Sequence, residues 1–532
     1  MSSQTAARSG RMLIYVVGAL LALILIYQFS SLYYFPQYDG SRFWGDEFGQ
    51  VIELKHEVEH GYAAIPTGKG ATVAVTNGIV RGNSWLAALL YGVPAALFYP
   101  GFDLVAIGRT VTAVMSVVLL AALFVSLRRF GSSHLVAVAA MLLLVTNRSF
   151  VFASHSARLD IIAGLAVLAW TVYCTYLYRK QLEGTWAPGS VWYFAFGVVT
   201  FGLATLSIHL LTLLGPVAVF VLLILSKGER LKATLFGAGG VIVMAALLLG
   251  TYALTGAPIT LFGQTSHHIQ SHDVLDAMPA FSPFSWSVQS SNLVQRFEQF
   301  REEAPFVAAI FFGSILFAVL KWKTLASPTR FALACTALII ISWLEFQSSA
   351  IYYLLHITPL MVFIAVMVLR TLKPRRWKLT LALGCAAMVL LHSIDLAEIQ
   401  GFSKSIDEKN RESVEAIHAL IPAVDSRVLA QYPAVSLLHK TLNERLMTTH
   451  FVNFPTDSSS VDEVLRAQNV STMILYRTSR SENYSFEVEP LWHVANSRGR
   501  IDTVITGYLF DVALENTAAT GPDSLYVVSL AR

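Results

Sequence analysis

Trp44-Gly45-Asp46-Glu47-Phe48-Gly49-Gln50 is an acidic, glycine-broken segment that follows the first long hydrophobic run of the chain, Leu13 to Leu32. Charged and imidazole side chains continue from there to His60. Two adjacent carboxylates at a membrane surface are costly unless they are solvated, ion-paired or used in chemistry. We interpret the segment as a solvated outer loop of an enzyme that does polar chemistry at the bilayer edge. The alternative is an ordinary loop whose acids pair with Arg42 or Lys55.

The whole chain has the composition of a polytopic membrane protein. It has 532 residues, of which 55% are hydrophobic and only 14% are charged. In a soluble domain about a quarter of the residues are charged. The first apolar run is longer than the core of a signal peptide, about 7–15 residues, and we predict that it is retained as a span. The three cysteines lie in apolar runs and are predicted to be core residues rather than disulfide partners.

The basic residues between the apolar runs set the predicted topology. The run Trp85–Tyr99 contains Gly92 and Pro94 and is short for a hydrocarbon core of about 30 Å. If it lies on the outer surface instead of crossing, all the basic clusters fall on the cytoplasmic side, as the positive-inside rule requires. We therefore predict about eleven spans in the cytoplasmic (inner) membrane, with the N-terminus inside and the C-terminus outside. The predicted spans are Leu13–Leu32, Leu104–Leu127, Leu135–Phe152, Ile161–Tyr178, Val191–Leu206, Leu210–Leu225, Ala233–Leu254, Phe306–Leu320, Phe331–Leu344, Ile351–Leu369 and Leu379–Ile394.

The predicted fold class is mainly α: a polytopic helical membrane domain with one interfacial helix, followed by a small α/β extracytoplasmic domain. The membrane domain covers residues 1–397 and contains outer loops at 33–103 and 255–305. The tail, residues 398–532, has the composition of a soluble domain and is long enough to form one. Its predicted helices are Asp407–Ile421 and Ser460–Gln468, and its predicted strands are Arg427–Ala430, Met473–Arg477, Thr503–Phe510 and Leu525–Leu530.

Cationic residues near the outer ends of spans are candidates for holding a phosphate. Arg81, with Lys69 upstream, precedes the interfacial helix, and the planar fork of an arginine suits a phosphate. A contact with anionic lipid headgroups would use the same residues. Arg158 and Asp160 open the fourth span, and their spacing predicts that they face different directions, one toward a ligand and one toward a neighbour. The alternative is an ordinary membrane-end anchor with a snorkelling arginine.

Histidines supply the remaining candidates. His267, His268 and His272 lie in the second outer loop, and the last two are one helical turn apart, so they could present two imidazoles to Zn²⁺. A polar loop over the site is the alternative. Tyr353 and His356 open the tenth predicted span. The histidine could donate to a phosphate or satisfy a neighbouring helix, and the tyrosine could belong to an aromatic belt.

Taken in order, these motifs resemble the GT-C membrane glycosyltransferases, in particular the protein O-mannosyltransferases and the bacterial lipid A aminoarabinose transferases. That family has an acidic pair in the first outer loop, a juxtamembrane helix, an arginine in the next span, a basic turn with Phe-Gly, an "aRlD" helix start and a late Tyr-Tyr-Leu-Leu span. The matching segments are Gly45–Ile52, Trp85–Gly92, Arg109, Arg128–Gly131, Ala157–Asp160 and Tyr352–Pro359. The resemblance is closest over residues 1–180 and reaches the tail by position alone.

The resemblance implies an inverting transfer of a sugar from a polyprenyl-phosphate donor to an acceptor hydroxyl at the outer face. Asp46 corresponds to the catalytic aspartate and would act as general base, with Glu47 beside it and Asp160 at the second acidic position. Arg81 lies about where the aminoarabinose transferases place a phosphate-binding lysine. The acidic metal ligand of that element is absent from Ile79-Val80-Arg81-Gly82-Asn83.

The implied partners are the lipid-linked sugar, a lipid, glycan or protein acceptor, and membrane lipids, with no nucleic acid. No cofactor is implied with certainty, and a divalent metal held by the loop histidines stays open. The alternative function is a transporter or flippase of lipid-linked glycans, which would place charges and broken helices at the membrane midplane. The sequence instead places its charges at the outer ends of the predicted spans.

Overall fold

The protein is described by a computed structural model that covers most of the chain. The described residues are 3–30, 42–61, 64–66, 72–74, 85–99, 101–102, 104–204, 210–254, 297–301, 303–346, 351–370, 377–421, 426–430, 445–448, 458–477, 489–507 and 523–530. Within them the chain forms a large helical body followed by a small mixed sheet with two helices. A single hydrophobic cluster runs through the helical body, and a second cluster fills the sheet. The predicted fold class is confirmed.

The helical body is built from apolar helices that coincide with the predicted spans. Five described helices are long and apolar enough to cross a membrane, and six shorter apolar helices accompany them. The helices are α1 (Ser3–Ser30), α2 (Arg42–His60), α3 (Trp85–Ala87), a π-helical turn (Ala88–Gly92), α4 (Val93–Phe98), α5 (Leu104–Arg129), α6 (His134–Val145), α7 (Arg148–His155), α8 (Asp160–Leu182), α9 (Ser190–Ala204), α10 (Leu210–Leu225), α11 (Arg230–Leu254), α12 (Pro305–Leu320), α13 (Ser327–Phe346), a 3-10 helix (Ile351–His356), α14 (Thr358–Leu369) and α15 (Trp377–Leu420). A short hairpin of β1 (Ala64–Pro66) and β2 (Thr72–Ala74) follows α2.

The predicted span Leu135–Phe152 is wrong as a single helix, because it breaks into α6 and α7 with a bend of 74°. The Thr146 hydroxyl donates to the carbonyl oxygens of Leu142 and Leu143 at 3.0 and 3.3 Å. The Asn147 amide donates to the carbonyl oxygen of Leu144 at 3.0 Å. Such side-chain bonds to backbone carbonyls are typical of bent helices, and the Asn147 N–H bonds to the carbonyl oxygen of Leu144 at 3.3 Å, so the regular i to i−4 pattern ends there.

The last predicted span and the first predicted helix of the tail are one continuous helix, α15, of 44 residues. At about 1.5 Å per residue it is roughly 66 Å long, about twice the thickness of a hydrocarbon core. The sequence divided it because polar residues and a glycine enter the apolar pattern between residues 398 and 406, yet no proline interrupts them. The predicted domain boundary at residue 397 therefore falls inside a helix.

The tail folds into a five-stranded mixed sheet with the order β4-β3-β5-β7-β6. Its strands are β3 (Arg427–Ala430), β4 (Leu446–Thr448), β5 (Val470–Arg477), β6 (Gly499–Gly507) and β7 (Asp523–Leu530), and its helices are α16 (Ser458–Ala467) and α17 (Glu489–Arg498). The predicted strands at 427–430, 473–477 and 525–530 and the predicted helix at 460–468 are confirmed. The predicted strand Thr503–Phe510 is confirmed as far as residue 507, and its last three residues lie outside the described residues. Sequence reasoning missed β4, which is three residues long, and α17.

Candidate active site

The acidic segment after the first span is helix α2, and two glycines let its backbone lie close to its neighbours. A Cβ atom on Gly92 would lie 2.2 Å from the carbonyl oxygen of Leu54. A Cβ atom on Gly108 would lie 2.6 Å from Cγ2 of Val51 and 2.5 Å from Cβ of Ala157. Helix α2 is thus packed against the π-helical turn, the start of α5 and the turn before α8.

Asp46 and Glu47 belong to the first half of α2, and their side chains lie outside the described residues. The backbone of Asp46 is five residues before Val51, or about 7.5 Å along the helix axis. Val51 lies beside Gly108 and Ala157, so α2 borders the start of α8. The acidic pair belongs to this same helix.

One face of α2 buries acidic side chains, which contradicts the expectation of a solvated segment. Glu53 and Glu57 are 0% and 6% exposed, and His56 between them is 4% exposed. The two glutamates are seven and eleven residues after position 46, so the three positions fall on one face of the helix. Burial, together with the charge of Glu53, raises the pKa of Glu57 to about 8.

The opposite face of α2 is solvated. Lys55 forms an ion pair with Glu59 at 2.7 Å, one helical turn away, and both side chains are partly exposed. Lys55 thus pairs within α2 itself, on the face away from the buried acids.

Arg158, Asp160 and His356 form a buried cluster at the start of α8. The Arg158 Nε atom donates to Oδ2 of Asp160 at 2.9 Å, and Nε2 of His356 lies 2.8 Å from Oδ1 of the same carboxylate. The side chains of Arg158 and Asp160 are each 6% exposed, and that of His356 is 1% exposed. Each carboxylate oxygen therefore has its own partner.

The prediction that Arg158 and Asp160 face different directions is wrong. The spacing rule on which it rested applies to two residues of one helix. Helix α8 begins at Asp160, and Arg158 lies in the turn before it. Its side chain can therefore fold back onto the carboxylate.

His356 reaches Asp160 because the 3-10 helix before α14 packs closely on α8. A Cβ atom on Gly164 would lie 2.5 Å from the carbonyl oxygen of Leu355. The ring of Tyr353 lies 5.4 Å from the imidazole, centroid to centroid. The carbonyl oxygen of Tyr353 accepts a hydrogen bond from the indole of Trp343 at 3.2 Å, which holds the turn in place. Tyr353 and His356 are thus brought together beside Asp160.

Tyr91 connects the predicted interfacial helix to the turn that contains Arg158. Its hydroxyl lies 2.8 Å from that of Thr112 and donates to the carbonyl oxygen of Arg158 at 3.0 Å. Arg109, one turn before Thr112, is 7% exposed. Tyr91 thus connects the π-helical turn and α5 to the Arg158 turn.

Comparison with known proteins finds similarity at the level of structure. No protein-family model and no curated protein matches the chain. The crystal structure of ArnT from Cupriavidus metallidurans bound to undecaprenyl phosphate matches with a TM-score of 0.55 at 12% identity, over 96% of this chain and 97% of that one. The apo crystal structure of the same protein matches with a TM-score of 0.52 at 11% identity, over 98% of each chain. The chain has the GT-C fold.

A third structure gives a weaker match. The apo oligosaccharyltransferase from Archaeoglobus fulgidus has a TM-score of 0.47 at 10% identity, over 88% of this chain and 69% of that one. The expected resemblance in fold is confirmed by ArnT, whose match runs over nearly the full length of both chains and so includes the C-terminal sheet.

Several predicted site residues lie outside the described residues: Lys69, Arg81, His267, His268 and His272. Among the residues that the structure describes, no group of three His, Cys, Asp or Glu side chains is arranged to hold a metal ion. The metal site predicted at the loop histidines stays a prediction.

Sequence reasoning missed the buried glutamates of α2 and the Tyr91–Thr112 pair. The glutamates had a readable signal, because their spacing from Asp46 repeats the helical period. The Tyr91–Thr112 contact joins two elements 21 residues apart and had no such signal.

Proposed function

We propose that this protein is a membrane glycosyltransferase that moves a sugar from a polyprenyl phosphate to an acceptor hydroxyl, with inversion at the anomeric carbon. The observation that carries the proposal is the fold, which matches over 96% of this chain a protein crystallised with undecaprenyl phosphate. The buried polar residues around the start of α8 support it, because they supply cations and carboxylates at the end of a membrane helix.

Asp46 is the proposed general base. It would take the proton of the acceptor hydroxyl while the acceptor oxygen bonds to the anomeric carbon and the polyprenyl phosphate leaves with the electron pair of the broken C–O bond. Asp160 is less suited to this role, because Arg158 and His356 already engage both of its oxygens. The assignment therefore goes to the acidic pair of α2, with Asp46 as the base.

The leaving phosphate needs fixed cations. Arg158 and Arg109 are buried near the ends of two membrane helices, where a guanidinium stabilises an anion more than it does in water. Arg81 and Lys69 are proposed to extend this site toward the surface helix. The site is proposed to face outward from the cytoplasmic membrane, and the acceptor is a lipid, a glycan or a protein.

The test uses the purified protein in nanodiscs with undecaprenyl phosphate carrying glucose, mannose, galactose or arabinose. Release of undecaprenyl phosphate and transfer to cell-envelope extract are both measured. We expect the wild type to consume at least one donor and Asp46→Asn to lose about a hundred-fold or more of that rate, since general bases contribute at least this much.

Glu59→Gln is the matched control, because Glu59 lies on the solvated face of the same helix. We expect it to keep the wild-type rate. Consumption of no donor by the wild type, or movement of a donor across the bilayer without its cleavage, would refute the proposed function. An active Asp46→Asn protein would move the base to Glu47.

A further inference from the structure

The imidazole of His356 has one ring nitrogen for which the described residues supply no partner. Nε2 contacts Asp160 at 2.8 Å, whereas Nδ1 is buried and makes no hydrogen bond to any described residue. The side chain is 1% exposed. A buried polar atom without a partner is unfavourable and rare in folded proteins, and it calls for an explanation.

The partners of Asp160 determine which ring nitrogen carries the hydrogen. A carboxylate accepts hydrogen bonds and donates none, so Nε2 must carry the proton that it shares with Oδ1. The Arg158 guanidinium on Oδ2 already balances the charge of the carboxylate. In the tautomer that donates through Nε2, Nδ1 carries no hydrogen and is an acceptor.

We infer that Nδ1 of His356 accepts a hydrogen bond from a carbohydrate hydroxyl, with Asp160 and Arg158 as the positioning residues that fix the ring. This inference rests on the proposed function and names a contact within it. An acceptor nitrogen needs a ligand that donates a hydrogen bond. A sugar hydroxyl can donate one, whereas a phosphate diester cannot.

The surroundings of the ring fit this ligand. The Tyr353 ring lies beside the imidazole, and ligand pockets are lined predominantly by hydrophobic and aromatic side chains. Asp160 follows the turn that contains Ala157, and Ala157 lies beside Gly108 and Val51. Because Val51 belongs to α2, the cluster of His356 and Asp160 lies close to the helix that carries Asp46. The hydroxyl belongs either to the donor sugar or to the acceptor.

The test compares ligands that have and lack single hydroxyls, using the most active donor of the nanodisc panel and its monodeoxy forms. His356→Gln is compared with the wild type, because a glutamine amide can still donate to Asp160 but provides no nitrogen at the place of Nδ1. Thr358→Val is the matched control: Thr358 is buried in the next turn and donates to the carbonyl oxygen of Leu354 at 2.9 Å.

If the hydroxyl is on the donor, the wild type uses one monodeoxy donor roughly ten- to hundred-fold less well than the parent, and His356→Gln uses both about equally. If it is on the acceptor, His356→Gln keeps hydrolysis of the donor by water but loses transfer to the envelope acceptor by a similar factor. Thr358→Val keeps the wild-type discrimination in either case.

An equal loss for all donors and both reactions, or no change at all, would show that His356 is structural and contradict the inference while leaving the proposed function standing. If His356→Gln does not fold, the wild type decides alone: no discrimination at any donor or acceptor hydroxyl contradicts the inference. Consumption of no donor by the wild type refutes the proposed function itself.

Discussion

Glu57 differs in its protonation from a glutamate on an exposed helix. Its carboxyl is 6% exposed, and its Oε2 atom makes no hydrogen bond to a described residue. Burial first, and the nearby charge of Glu53 second, raise its pKa from 4.5 to about 8. Near neutral pH the protonated form is therefore favoured, which makes a buried pair of glutamates tolerable.

The raised pKa predicts that stability falls as the pH rises from about 5 to about 8. In that interval the folded protein still holds a proton that the unfolded chain has released, so each pH unit costs at most about 1.4 kcal/mol. Glu57→Gln removes this dependence. We expect its thermal midpoint in detergent to equal that of the wild type at pH 5 and to exceed it at pH 8.5, by up to about 4 kcal/mol in unfolding free energy.

Glu59→Gln is the control for this measurement, because Glu59 is partly exposed on the other face of α2. It should follow the wild type at both pH values. If Glu57→Gln is no more stable than the wild type at pH 8.5, the Glu57 carboxyl is ionised in the folded protein and finds a cation near it.

At the scale of single residues, the sequence predicted candidate positions but not the contacts between them. Arg158, Asp160, Tyr353 and His356 were all predicted as site residues, and the structure brings them together. The contact between Asp160 and His356 joins residues 196 apart, and it depends on the close approach at Gly164, which no local pattern records.

At the scale of elements, the break between α6 and α7 is stabilised by polar side chains from the first and last membrane helices. The Gln28 amide of α1 donates to the carbonyl oxygen of Val145 at 3.1 Å and lies 2.8 Å from Nε2 of His392 in α15. Arg148 at the start of α7 donates through Nε to Asp395 of α15 at 2.9 and 3.0 Å. Hydropathy averages over such a break, which explains why the sequence predicted a straight span there.

The Arg148–Asp395 pair is predicted to contribute measurably to stability. Both side chains are partly buried and the guanidinium binds the carboxylate through two nitrogens, so the pair is stronger than an exposed one. We expect a double-mutant cycle with Arg148→Gln and Asp395→Asn to give a coupling of about 1–3 kcal/mol in unfolding free energy.

The exposed pair Arg179–Glu183 supplies the comparison. The same substitutions there should give a clearly smaller coupling, because solvent screens an exposed ion pair. Equal couplings at the two pairs would mean that the α7–α15 contact is solvated and does not hold the break.

At the scale of the whole molecule, the order of hydrophobic helices and the strands of the tail could be predicted, because both follow from hydrophobic patterning. The way in which the helical body and the tail are joined could not be predicted. Helix α15 carries the apolar segment Leu383–Ala397 and continues to Leu420, where Ile417 is buried in the same hydrophobic cluster as Val428 of the sheet. The first part of the tail is thus the continuation of a membrane helix, and the end of that helix packs with the sheet.

The orientation of the whole molecule depends on whether the surface helix crosses the membrane. Basic residues occupy the last turns of α5 and α8, so these ends face the cytoplasm if the positive-inside rule holds. The segment just before α5 must then face outward. Phe102 lies there and is 65% exposed, and the three native cysteines are buried and should react little.

We therefore expect a cysteine in Phe102→Cys to react with a membrane-impermeant thiol reagent added to intact cells or spheroplasts. Thr185→Cys, exposed in the turn after α8, is the matched control and should react only after the membrane is opened. The readout is the labelled fraction of each variant before and after permeabilisation. Labelling of Phe102→Cys only after permeabilisation would mean that Trp85–Tyr99 crosses the bilayer, which would turn the start of α8, and with it Asp160 and His356, toward the cytoplasm.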